Sequence, residues 1–119
     1  MNEMEQRLRE RTKQFALRII RLYAALPKTA EAQVIGKQLL RSGTSVGAHY
    51  CEACRARSRA EFISKTQGAI AELDETAYWL ELLASANIVP VRRLLELQKE
   101  VEELLAIFVR SVKTAKSNL

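Results

Sequence analysis

Glycine and proline are scarce in this 119-residue chain, four and two respectively, which removes the frequent tight turns that a many-stranded fold requires. No alternating strand pattern, internal repeat or low-complexity stretch replaces them. One histidine and two cysteines are too few to complete a tetrahedral zinc site. No run of about 18 or more apolar residues is present, so no membrane span is expected. Nor does the start of the chain carry the apolar segment of an export signal, so a cytoplasmic location with reduced thiols is expected. Glycine-rich phosphate loops, nucleophile elbows and Ser/His/Asp sets are missing too. The expectation is a protein without an active site, a metal or a cofactor.

What remains is helix-former chemistry. The chain is 48% hydrophobic, and Leu, Ala, Glu, Lys and Arg dominate it. A single domain of this size buries roughly two thirds of the surface its unfolded chain exposes, enough for one core. The formal charge of +5 is unevenly spread. Residues 1–30 carry seven Lys or Arg against three Glu, whereas residues 58–90 carry two against five acids. Such asymmetry suits an anionic partner or self-association between unlike faces.

Four helices are legible. Leu8, Thr12, Phe15, Ile19, Leu22 and Leu26 share one helical face, and Pro27 closes that segment. A second helix starts at Thr29 as N-cap and runs towards Arg57, with Ile35, Leu39, Ser42, Val46 and Ala53 on its seam. Gly36, Gly43 and Gly47 recur along it, each costing roughly 1 kcal/mol against alanine in a helix interior. Close approach of a neighbouring backbone accounts for them best, with a kink as the competing account. Ser58 and Glu61 form a capping box. Behind it Phe62, Thr66, Ala69, Leu73, Thr76, Leu80 and Leu83 make the third seam. Asn87 suits a left-handed helix end and Pro90 the first turn of a fourth helix, along which Leu94, Gln98, Val101, Leu105, Phe108, Val112 and Ala115 run. Short turns make successive helices antiparallel, so residues 1–119 read as one all-α, up-down-up-down four-helix bundle.

Two helices carry more apolar surface than an isolated bundle uses. Leu17, Ile20 and Ala24 lie nearly opposite the first seam, and Leu95, Leu97, Leu104 and Ile107 widen the fourth stripe beyond half the circumference. Trp79 and Tyr78 add aromatic surface off the third seam. Second stripes of this kind mark subunit contacts, so a homo-oligomer joined through Leu17, Ile20, Trp79, Leu97 and Leu104 is expected.

Basic residues are the functional candidates. Arg7, Arg11, Arg18 and Arg21 form an edge of the first helix, and Arg55, Arg57, Arg59 and Lys65 cluster at the turn between the second and third. Guanidinium groups grip phosphates in forked geometry, and several on one edge give salt-sensitive affinity for nucleic acid. The alternative is that they solubilise the bundle and pair with Glu61, Asp74 or Glu75 across subunits. Cys51 and Cys54 share a helix face, but His49 lies about 200° from Cys51 around the helix, so packed thiols are the expectation. A di-iron bundle needs Glu-x-x-His pairs, and Val46 stands three residues before the only histidine. Glu72, Asp74 and Glu75 read as a solvated or ion-paired face rather than a cation site.

The stretch from Gln38 to Leu83 carries QLLRS at 38–42, SVGAHY at 45–50, RARSRAEFISK at 55–65 and a tryptophan-containing segment ending in WLELL at Leu83. Together these closely resemble the bacterial four-helix bundle family first noticed as reading frames within 23S ribosomal RNA intervening sequences. The resemblance implies an up-down bundle assembling into a ring-like homopentamer. A similar bundle is the accessory protein of diversity-generating retroelements, a basic pentamer associated with a reverse transcriptase and nucleic acid. That likeness adds nucleic acid, or a protein such as a reverse transcriptase, as expected partners. It also places Arg41 and Arg55 to Arg59 in the family-like stretch, as candidates for holding subunits together. One position departs from the pattern: the family commonly carries asparagine where this chain has His49.

Overall fold

The computed structural model describes residues 2–118. Within them the chain forms α1 (Glu3–Ala24), α2 (Ala30–Cys54), α3 (Arg59–Ser85) and α4 (Val91–Ser117), an all-α up-down-up-down four-helix bundle with no strand among the described residues. It measures 47 Å along its axis and 21 Å in both other directions.

Local chemistry sets the helix ends. The Asn2 side chain accepts the Glu5 N–H at 2.8 Å, Thr29 accepts from Ala32 at 3.4 Å and Ser58 accepts from Glu61 at 3.0 Å. These are the orphan donors of a first helical turn, and each cap satisfies one. Glu61 completes its capping box one residue further out than expected, accepting from the Arg57 N–H. Pro90 is the N-cap of α4 and so stands one position before the first turn. Asn87 takes φ 59°, the left-handed conformation that ends α3.

Burial follows most of the expected seams on α1 and α3, with Leu22 of α1 only half-buried. Leu8, Thr12, Phe15 and Ile19 are buried, and so are Thr66, Ala69, Leu73, Thr76, Leu80 and Leu83. At the start of α3 the core position belongs to Ile63, and Phe62 is only half-buried. On α2, Ala32, Gly36 and Tyr50 join Leu39, Ser42, Val46 and Ala53 inside, whereas Ile35 lies half-buried at the margin. Tyr50 stacks on Phe108 with ring centroids 5.2 Å apart.

The glycines of α2 are where α1 comes closest. α2 runs unbroken through all three, and a Cβ at Gly43 would lie 2.8 Å from two Ile19 side-chain carbons. One at Gly36 would meet Leu26 and Tyr23, and one at Gly47 would meet Thr12. α2 and α3 share a polar seam in which the buried Ser42 and Thr76 hydroxyls lie 2.9 Å apart. Thr76 donates back to the Glu72 carbonyl. α1 packs on α2, α2 on α3 and α3 on α4, but α4 approaches α1 only slightly.

Two expected subunit contacts belong to the core. Leu104 is wholly buried and Leu97 nearly so; with Leu94, Val101, Phe108 and Val112 they form the inward stripe of α4. The steps 94, 97, 101, 104, 108 alternate three and four residues, as does the seam expected through Gln98 and Leu105, but the buried face is rotated from it around the helix. The exposed large apolar residues of α4 are Val91, Leu95 and Val109. Ile20 is also exposed, whereas Leu17 and Trp79 are half-buried and Trp79 packs on the core.

Candidate functional site

Antiparallel packing brings the starts of α1 and α3 to the same end of the bundle as the finishes of α2 and α4. Residues 3–11, 46–67 and 109–118 meet there and supply ten Lys or Arg against five Glu. That excess equals the net charge of the whole chain, so the remainder of the bundle is balanced. Arg7, Arg55, Arg57, Arg59, Arg110, Lys113 and Lys116 are all exposed at this end. Arg110, Lys113 and Lys116 become part of the cluster only through the fold, since the whole length of α3 and much of α4 separates them in sequence from the α2–α3 turn.

Not every expected cation is available. Arg11 is a strut between α1 and α4. Its Nε donates to Glu100 at 2.8 Å, and Nη2 donates to Glu100 at 2.6 Å and to Glu103 at 2.8 Å. The hydrogen bond to Glu100 raises the pKa of this guanidinium further above its ordinary value, so it is committed internally rather than presented to phosphate. Lys65 pairs with Glu52 at 2.9 Å; both are exposed, and the lysine holds the Glu52 carboxyl below its usual range. Arg7 reaches Glu3 only at 3.7 Å with both side chains in water, a pairing of little strength. Arg59 donates to the Asn118 carbonyl at 2.7 Å, joining the start of α3 to the finish of α4. Arg18 and Arg21 sit on the far half of α1, more than 15 Å along the axis from Arg7 at about 1.5 Å per residue.

Arg41 is likewise an intrachain tie. It donates to both Glu72 oxygens at 3.3 Å and to Glu75 at 2.6 Å, and the Glu72 contact raises its pKa. Glu72, mostly shielded, also stands 3.5 Å from His49 Nε2. The His49 ring lies against α3 where Gly68 leaves room; a Cβ there would be 2.9 Å from Nδ1. Glu72 and Glu75 are therefore occupied by side chains of α2, whereas Asp74 is exposed, and no group of three metal-binding side chains exists among the described residues.

Cys51 and Cys54 are free and half-buried. Burial pushes the Cys54 thiol up, outweighing the hydrogen bond from Tyr50 one turn earlier. A raised pKa means less thiolate at a given pH, and thiolate is the reactive form. Cys54 is expected to alkylate with iodoacetamide at pH 8 more slowly than an unstructured cysteine peptide, with peptide mass mapping as the readout. Equal or faster labelling contradicts this burial.

Beside the basic end, where α1 and α4 stand apart, lies a groove of about 770 Å³. Met4, Leu8, Phe62, Ile107 and Ala115 make its apolar lining, Arg7, Arg11, Arg59 and Arg110 its charged lining, and Ser111, Thr114 and Asn118 contribute polar groups. Sequence reasoning missed it. Its one visible signal is the adjacent pair Phe62–Ile63, of which only one can face the core.

Comparison with known proteins adds the lineage. No curated protein matches the chain. A crystal structure of a protein with unknown function from the S23 ribosomal protein family of Bacteroides thetaiotaomicron superposes with a TM-score of 0.86 at 36% identity. The match covers 92% of this chain and 97% of that one. The sequence profile of the 23S rRNA-intervening sequence protein family matches residues 4–110, and by that span the chain belongs to this family.

Proposed function

We propose that the protein is a non-catalytic, homo-oligomeric binding module whose basic end contacts the phosphate backbone of nucleic acid. The gathering of the chain's entire charge excess at one end of the bundle carries this reading. Exposed guanidinium and ammonium groups on several helices there match a polyanion without reading its sequence. The ring of five implied by the family resemblance repeats the patch, and repetition turns weak contacts into avid ones. No described helix is long and apolar enough to cross a membrane. Leu95 and Val109, two heptads apart on α4 and both exposed, suit a contact with a second copy.

Fluorescence polarisation against labelled RNA and DNA tests the reading. With about four phosphate contacts, affinity for duplex DNA is expected to fall roughly 100-fold between about 50 and 200 mM salt. Glutamate substitutions at Arg55, Arg57 and Arg110 should abolish binding, whereas Arg18→Glu and Arg21→Glu leave most of it. Absence of binding at low salt, or binding indifferent to salt, overturns the proposal. If the exposed stripe of α4 instead docks a different protein, such as a reverse transcriptase, Leu95→Glu abolishes that capture and leaves the oligomeric mass unchanged.

A further inference from the structure

We propose that the groove beside the basic end seats an unstacked base of a single-stranded nucleic acid, with the flanking phosphates on Arg7, Arg59 and Arg110. This rests on the reading of the basic end as a nucleic-acid contact and specifies the form of strand it takes. A duplex keeps its bases paired and inside, so a duplex-binding surface needs cations and has no use for an apolar floor. Here the floor lies within the cationic patch. Phe62 is turned out of the core because Ile63 occupies the inward position, and it lines the groove together with Ile107. An aromatic face under a positively charged rim is the arrangement on which single-stranded bases stack.

The polar groups fit a base better than a plain hydrocarbon chain. Ser111 donates its proton to the Ile107 carbonyl at 3.0 Å, leaving its oxygen lone pairs to accept from an exocyclic amine. Thr114 lines the same wall. Arg59 sits one turn before Phe62, and its bond to Asn118 uses one of five guanidinium N–H groups. Arg110 has no carboxylate partner among the described residues, and its charge complements a phosphate. A groove of this volume lies within the range of pockets that hold small organic ligands.

The experiment compares a single strand with a duplex of the same sequence and length, by fluorescence polarisation on the full chain. The wild type is expected to prefer the single strand. Phe62→Ala should weaken single-strand binding by about tenfold, within the range of a lost base stack, and leave duplex binding unchanged, while Phe62→Trp retains the preference. Ala115→Trp fills the groove without removing a charge and should block the single strand as strongly, which guards against a folding defect in the alanine variant. Equal effects of Phe62→Ala on both strand forms, or none, overturn the groove assignment and leave the basic end standing. A change of oligomeric mass on Phe62→Ala makes the groove a contact between copies and also overturns it. If neither form binds at low salt, the parent reading falls as well.

Discussion

Leu104→Ala is expected to destabilise the protein by about 3 kcal/mol, because a fully buried leucine truncated to alanine loses its transfer free energy and leaves a cavity. For a domain of this size that corresponds to a fall in Tm of roughly 10 °C. Leu104 is wholly buried and its neighbours on the inward stripe are as closely packed, so relaxation around the gap is limited. Leu95→Ala removes the same atoms from a side chain that is 54% exposed, and its cost should stay within about 0.5 kcal/mol. Thermal denaturation followed by circular dichroism distinguishes the two, and light scattering supplies the second axis. If Leu104→Ala lowers the oligomeric mass while sparing the melting temperature, the residue is a subunit contact and its core assignment is wrong.

Gly43→Val should be at least as damaging, at about 3 kcal/mol. Filling a packed interior costs 1–3 kcal/mol as a rule, and two features push this site to the upper end. The atoms in the way are the Cγ1 and Cγ2 of Ile19, each 2.8 Å from the position of a new Cβ, and Ile19 is wholly buried. A β-branched side chain in a helix has essentially one χ1 rotamer, so it cannot swing clear and α1 must lift off α2. Gly47→Ala makes the internal control. Its Cβ would meet the Thr12 hydroxyl at 3.0 Å, a tight fit offset by the roughly 1 kcal/mol that alanine gains over glycine in a helix. Denaturant midpoints for the two variants should differ clearly; equal midpoints mean that α1 and α2 are not in intimate contact at Gly43.

How much of this was legible beforehand depended on whether the information was local. The caps at Thr29 and Ser58 and the left-handed Asn87 are written in a few adjacent residues, and the glycine spacing already marked the face of α2 that meets α1. The fourth helix was harder. Its apolar residues cover so much of the circumference that several seams fit, and Leu97 and Leu104 were assigned outward when they point in. Phe62 and Ile63 pose the same ambiguity at smaller scale. What stayed hidden was everything that joins distant segments. The strut from Arg11 to Glu100 spans 89 residues, and Arg41 reaches Glu72 across 31; knowing which helices adjoin does not give the register that pairs them. The basic end is of that kind too, since the excess of α4 near Lys113 reads as an ordinary polar tail until the helices are folded side by side.

The strut from Arg11 has one more implication. Three of the bundle's flanks are closely meshed, the first and second helices through α1 side chains seated against the α2 glycines, whereas the first and last helices stay further apart and carry a guanidinium latch onto two carboxylates at their edge. A latch of that kind responds to ionic strength and to competing anions in a way that interlocked leucines do not. The same residue forms part of the groove wall, so the salt-sensitive fastening between these helices stands at the edge of the groove.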